Sequence, residues 1–189
     1  MAKLLTMNQK VDEMIKLAKA SNHQAQLALY DMYSQKMLGV CSQFIKDLQF
    51  AEDVMIIAFH KALTNINSFE PYGSFEGWLR RIMVRECISY LRIQKNKFDV
   101  IEITDYHFIH HFNDAFNDES SKKILDALDE LPIGCKTVFN LYCIEGYKHY
   151  EIAELLQITI GTSKSQLAHA RKLLQQKLSI LNLRNYGNE

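Results

Sequence analysis

The sequence predicts an all-α protein: two small helical domains joined by an extended acidic linker, with a helix-turn-helix in the C-terminal domain. Three observations lead there. Two prolines and seven glycines in 189 residues are too few for the tight turns of an all-β chain. Apolar residues recur at helical spacing in two blocks and lose that rhythm between them. The formal net charge of zero conceals an uneven distribution. Residues 1–97 carry 13 basic and 9 acidic side chains, 98–121 carry no basic and 6 acidic, and 122–189 carry 9 basic and 7 acidic. The expected organisation is therefore a domain over 1–97, a linker over 98–121 and a domain over 122–189.

Val11, Met14, Ile15 and Ala18 share one helical face and start the first helix. Ser21 or Asn22 ends it or caps the next, which runs from Leu27 through Tyr33 and Val40 to about Phe44. Ala51 to Leu63 reads as a third, unusually apolar helix. Asn65, Asn67, Ser68, Pro71 and Gly73 break the pattern. Ser74 to Gln94 resumes as a long amphipathic helix, with Trp78, Leu79, Ile82, Met83, Cys87 and Leu91 towards a core and arginines opposite. Residues 96–119 lose the stripe. A helix through Ile124, Leu125 and Leu128 stops at Pro132. A second, through Val138 to Tyr142, ends at Gly146. Glu151 to Leu156 is short, and Thr162 to about Leu181 is long.

The last two helices carry the most chemistry. Ala153 is small where two helices must cross, Ile158 plugs the turn, and Thr159 is a good N-cap. Thr162 and Ser163 expose amides at a helix N-terminus, where a phosphate can dock. Ser163, Lys164 and Gln166 lie on the first turns of a helix that enters a major groove. Glutamine can pair with adenine through two hydrogen bonds, and lysine reaches guanine or phosphate. His169, Arg171, Lys172 and Lys177 follow as sites for backbone contacts. From Lys164 to Arg184 there are five basic residues and no acid, which favours DNA over a merely solvated face.

In the first block Arg80, Arg81, Arg85 and Arg92 interleave with Phe69, Tyr72, Phe75, Trp78 and Tyr90. Cations beside aromatics suit unstacked single-stranded bases. Phe75 and Trp78 fit the apolar face and are expected in the core. Asn67, Tyr72 and the surrounding 65–73 loop are the better candidates for touching a base.

Other chemistries find little support. Charges interrupt the first 17 residues, and no apolar run approaches the length of a membrane span, so a soluble cytoplasmic protein is expected. Cys41, Cys87, Cys135 and Cys143 fit no metal template and are expected reduced and mostly buried. His107, His110 and His111, near Asp105 and Asp114, also match no ligand spacing. No phosphate-binding glycine loop or nucleophile elbow occurs, so neither a cofactor nor an enzymatic activity is expected.

At this point the residues resemble a known family. The run from Ala127 through Leu131-Pro132, Val138-Phe139 and Glu145-Gly146 is similar to the entry of the C-terminal domain of extracytoplasmic-function sigma factors of bacterial RNA polymerase. Glu151-Ile-Ala-Glu-Leu-Leu and Gly161-Thr-Ser-Lys-Ser-Gln-Leu-Ala-His-Ala-Arg-Lys resemble its helix-turn-helix, in a form similar to members from Bacteroidetes-type bacteria. Ala51-Glu-Asp-Val with Phe59 resembles the polymerase-binding helix, and Ser74-Phe-Glu-Gly-Trp-Leu-Arg-Arg the promoter-melting helix. The resemblance covers roughly residues 8–183. It implies that the 51–63 helix, with Asp53, Ile56, Ile57 and His60, binds the polymerase clamp. It implies that Asn67, Tyr72, Arg80, Arg81, Arg85 and Arg92 contact the minus-ten element. Thr162, Ser163, Lys164, Gln166, His169, Arg171 and Lys172 would read the minus-thirty-five element. The acidic linker would follow the RNA path of the polymerase.

Five positions depart from the family pattern. Ile56 and Ile57 replace a polar pair, which implies either a turned helix or a more apolar partner surface. Arg85 stands where an asparagine is common, Lys148 where a capping serine is usual, and Gln157 at the usual turn glycine. The implied partners are the polymerase core (clamp and flap) and promoter DNA, double- and single-stranded. An anti-sigma factor and an auxiliary DNA-targeting effector are further candidates. The alternative function is a stand-alone helix-turn-helix regulator; the 51–97 block, with its apolar and its aromatic-basic helix, is what that alternative leaves without a purpose.

Overall fold

The structure is a computed structural model that describes residues 2–98 and 119–186, with side-chain placement over 9–94 and 124–178. Every described element is helical, and the helices form two compact units. The first contains α1 (Ala2–Lys19), α2 (His23–Phe44), α3 (Leu48–Thr64), a 3-10 turn at Ile66–Ser68 and α4 (Phe75–Phe98). The second contains α5 (Glu119–Asp129), α6 (Ile133–Phe139) continued by one π-helical turn at Asn140–Ile144, α7 (His149–Leu156) and α8 (Ile160–Tyr186). The residues expected to form an extended linker lie largely outside those described, as do His107, His110 and His111.

Local chemistry sets the boundaries in the first unit. Ser21 takes a left-handed conformation (φ 62°) just past α1, and the Asn22 side chain accepts from the Ala25 N–H at 3.0 Å to start α2. Both expected roles, stop and cap, are filled by neighbouring residues. The third helix begins earlier than its apolar pattern implies. Asp47 accepts from the N–H groups of Gln49 (2.9 Å) and Phe50 (3.1 Å), so it draws Leu48 to Phe50 into α3. Ser74 caps α4 by accepting from Gly77 N–H at 3.0 Å.

The core of this unit forms where α2, α3 and α4 pack together. Leu29, Met37, Met55, Phe59, Leu79 and Met83 are almost fully buried there. Each such side chain contributes about 1.5–3 kcal/mol through the water it no longer contacts. Cys41 and Cys87 are buried neighbours in this core. The hydrogen bond with Cys41 and then burial push the Cys87 thiol well above its usual range, so it behaves as a small apolar side chain.

In the second unit Ala127, Leu128, Leu131, Cys135, Ala170 and Leu174 form one cluster, joining α5 and α6 to α8. Pro132 separates α5 from α6 and serves as the N-cap position of α6, which therefore starts five residues before Val138. Lys136 is nearly buried but pairs with Asp129 at 2.6 Å, so its charge is not stranded. Gly146 takes φ 76°, a conformation that costs glycine nothing, and closes this helical segment where expected.

Candidate nucleic-acid interface

α7, the turn after it and α8 form the helix-turn-helix. Glu151 accepts from the Lys148 N–H at 2.6 Å and opens α7. A lysine side chain has no acceptor, so the reciprocal bond that a serine would make is missing. Gln157 ends α7 in the left-handed region (φ 55°, ψ 45°), the conformation for which the resemblance implies glycine. Ile158 N–H returns to the Ala153 carbonyl at 3.0 Å and tightens the turn. Thr159 Oγ1 then accepts from Thr162 N–H at 3.0 Å, which is the expected N-cap of α8.

The inward stripe of α8 is Ser163, Leu167, Ala170 and Leu174, spaced three or four residues apart. At roughly 100° per residue the opposite side presents Ser165, Ala168, Lys172 and, nearer its edge, His169, all exposed. Lys164 and Arg171 are also exposed, together on one flank, and Thr162 is half-buried beside its cap. Arg171 reaches over the Tyr142 ring (5.9 Å) towards Cys143 Sγ (4.0 Å), which aims the guanidinium along the flank of the helix.

Three expectations need correction. Ser163 is fully buried, with its hydroxyl 2.9 Å from His149 Nδ1, so its side chain ties α8 to α7 instead of facing outward. His149 in turn stacks on Tyr142 at 4.5 Å. Gln166 is half-buried, and its carbonyl oxygen accepts from the Cys135 thiol at 2.8 Å, so the amide is not free to pair twice with adenine. Lys177 pairs with Glu130, which takes it from the set of free cations. Conversely, Ser165 and Ala168 lie at the middle of the outward face and are absent from the expected contacts. Counting from the apolar stripe Leu167, Ala170 and Leu174 is the signal that finds them.

In the first unit Arg81, Arg85 and Arg92 are exposed and fall within about 40° of one another around α4, so they form one cationic stripe. Arg80 sits about 100° away from Arg81 and is half-buried, so it does not continue the stripe. Phe69, Phe75 and Trp78 pack mutually at 5.4–5.5 Å, with Phe69 and Phe75 buried. This cluster closes the base of the 69–74 loop; Phe75 is in the core as expected, whereas Trp78 is only half-buried at its edge. Lys19 Nζ donates to the Phe69 carbonyl at 2.7 Å and fastens the same point. Tyr72 stands out from the loop at 93% exposure, and Asn67 is exposed beside it in sequence.

Asp53, Ile56, Ile57 and His60 follow an i, i+3, i+4, i+7 spacing and share one exposed face of α3. Ile56 is 49% and Ile57 50% exposed. The helix is therefore not turned to hide them. Phe50 and Tyr90 pack at 6.0 Å between α3 and α4, and burial raises the Tyr90 phenol above its usual pKa.

Helix-turn-helix, cationic stripe and exposed aromatic loop together define an all-helical nucleic-acid-binding protein built in two units. Residues 29–97 match sigma-70 region 2 and residues 121–174 match sigma-70 region 4, together about two thirds of the chain. The chain belongs to the sigma-70 family, among its extracytoplasmic-function sigma factors. It is 28% identical over 186 residues to the sigma factor SigW of Bacillus subtilis, covering 91% of this chain and 98% of that protein. It is 27% identical over 165 residues to the sigma-E factor of Haemophilus influenzae, covering 81% and 87%. The fold is similar to that of the sigma factor RpoE from Bartonella quintana, solved with the anti-sigma factor NepR, at TM-score 0.58 and 20% identity over 81% of this chain and 96% of that one. Among the described residues no helix is long and apolar enough to cross a membrane.

Proposed function

We propose that this chain binds core RNA polymerase, recognises promoter DNA and assists strand opening for transcription initiation, with its roles divided between 1–97 and 122–189. The observation that carries the reading is one chain holding two separate DNA-suited surfaces: the outward face of α8 and the Arg81–Arg85–Arg92 stripe beside the Tyr72 loop. A regulator of duplex DNA needs only the first.

Asp53, Ile56, Ile57 and His60 dock the polymerase clamp. Two half-exposed isoleucines gain by leaving water, which suits a persistent contact. Asn67 and Tyr72 meet the opened minus-ten strand, with Arg81, Arg85 and Arg92 along its phosphates. Arg80 joins them from the edge. Thr162 and Lys164 anchor the minus-thirty-five duplex, Lys172 and Arg171 hold its backbone, and His169 lies at the groove edge. The acids of 98–121 suit a basic RNA channel. The polymerase performs the chemistry, in the cytoplasm, and an anti-sigma factor is a candidate competitor for these surfaces.

Reconstitution with the cognate core polymerase tests the reading. The full-length protein should co-purify with core and direct initiation from a subset of genomic promoters. Neither outcome occurring would overturn it, and specific duplex binding without polymerase would favour the regulator.

A further inference from the structure

Cys135 lies at the start of α6, 2% exposed, inside the cluster that joins α6 to α8. It cannot reach DNA. Its thiol nevertheless touches two side chains of the helix assigned to the minus-thirty-five element. Sγ is 2.8 Å from Gln166 Oε1 and 3.8 Å from His169 Nδ1. A thiol has one hydrogen to give, and the shorter distance assigns it to Gln166. Burial raises the Cys135 pKa, which keeps that hydrogen in place.

The seat is completed by Gly134. A Cβ at that position would stand 3.4 Å from both Oε1 and Nε2 of Gln166, so the whole amide lies flat over the first turn of α6. Adenine recognition by glutamine needs the carbonyl to accept from N6 while the amide donates to N7. A carbonyl oxygen has two lone pairs, so the bond from Cys135 leaves one of them open. What the bond takes away is aim: with its oxygen drawn to Cys135 and its amide laid over α6, Gln166 does not turn oxygen and N–H together to one adenine edge. Its N–H groups serve acceptors, such as a phosphate oxygen or the guanine and thymine edges.

We propose that Cys135 is a specificity-determining positioning residue: by holding the Gln166 carbonyl it withholds adenine recognition from α8 and so shapes promoter choice from outside the DNA interface. The inference rests on the promoter-reading role of α8.

The test uses full-length protein reconstituted with core polymerase and a promoter library randomised across the minus-thirty-five element. Cys135→Ala should gain a preference for adenine at one position, on the order of tenfold, the discrimination of a single bidentate pair. Cys135→Val, which fills the volume without a donor, should do the same if the alanine variant folds poorly. Cys135→Ser retains a donor and should keep the wild-type preference. In a Gln166→Ala background the cysteine substitutions should no longer change base preference. A merely structural Cys135 would weaken all promoters evenly, and its effect would persist without Gln166; either result overturns the proposal. A wild-type holoenzyme with no base preference anywhere in that element overturns the promoter-reading role itself, and the proposal with it.

Discussion

Lys19 and Phe69 stand fifty residues apart, and the lysine ammonium donates to the phenylalanine carbonyl at 2.7 Å while lying 5.8 Å from its ring centre. The end of α1 thereby holds the entrance of the loop that exposes Tyr72. Lys19→Met keeps the aliphatic stem and removes the donor. Because the bond is only partly buried, the expected loss is about 1 kcal/mol of unfolding free energy. Amide exchange should accelerate across residues 69–74 and not in α3. Unchanged exchange in the loop would show that Lys19 does not restrain it.

The His149–Ser163 bond predicts a coupling across the helix-turn-helix. Ser163→Ala leaves the imidazole nitrogen without its partner and should cost about 1 kcal/mol. In a His149→Phe background, which preserves a ring against Tyr142, the same substitution should cost close to nothing. A double-mutant cycle from urea titrations measures the difference. Additive losses would remove the bond from the account of how α7 and α8 are held.

Gln157 carries a side chain where the backbone is left-handed. Gln157→Gly should raise stability by about 1 kcal/mol, because glycine meets no Cβ clash there. The urea midpoint should rise with an unchanged slope. A lower midpoint would mean that the glutamine side chain makes a compensating contact.

Ile56 and Ile57 stand half in water, so replacing both with glutamine should alter the stability of the free protein by no more than about 0.5 kcal/mol each. Affinity for core polymerase should fall on the order of tenfold or more, since apolar anchors dominate docked surfaces. A pull-down titration with core separates the two effects. Undiminished binding would move the clamp contact away from this face of α3.

Arg171 lies on the flank of α8, where the proposed function sets it against the DNA backbone and not the base edges. Arg171→Ala should weaken all promoters by a similar factor and reduce the salt slope of binding by about 1. A change confined to some promoters would place the guanidinium in the groove.

Periodicity and caps disclosed most of the helices, because each depends on residues close in sequence. Thr159, Pro132 and Gly146 end or begin elements where they were expected to. The cap at Asp47 is not legible from the apolar stripe that phases α3, because the residues the aspartate adds, Leu48 to Phe50, are all exposed and take no part in the buried face. The candidate site was legible in outline and not in orientation. Thr162 to Gln166 are all polar, so polarity alone does not tell which of them turns inward. Ser163 is buried because His149, fourteen residues earlier, supplies its partner. Gln166 is drawn aside by a cysteine thirty-one residues away. Both facts depend on tertiary neighbours. Ser165 and Ala168 were missed for the opposite reason: small side chains advertise no chemistry, and only the phase of the helix places them outward.

The turn at Gln157 bears on how accurately α8 is aimed. A glycine there would be free to wander over a broad range of backbone angles, and the helix beyond it would swing with each excursion. A residue with a Cβ finds the left-handed basin narrow, with steep walls on every side. Once seated, it has few neighbouring conformations to visit. The glutamine therefore makes the elbow between α7 and α8 stiffer than a glycine would, and a stiff elbow confines α8 to fewer poses. Under the proposed function, what this chain gives up in folding energy at one residue returns as a lower entropic penalty each time the helix meets a DNA groove.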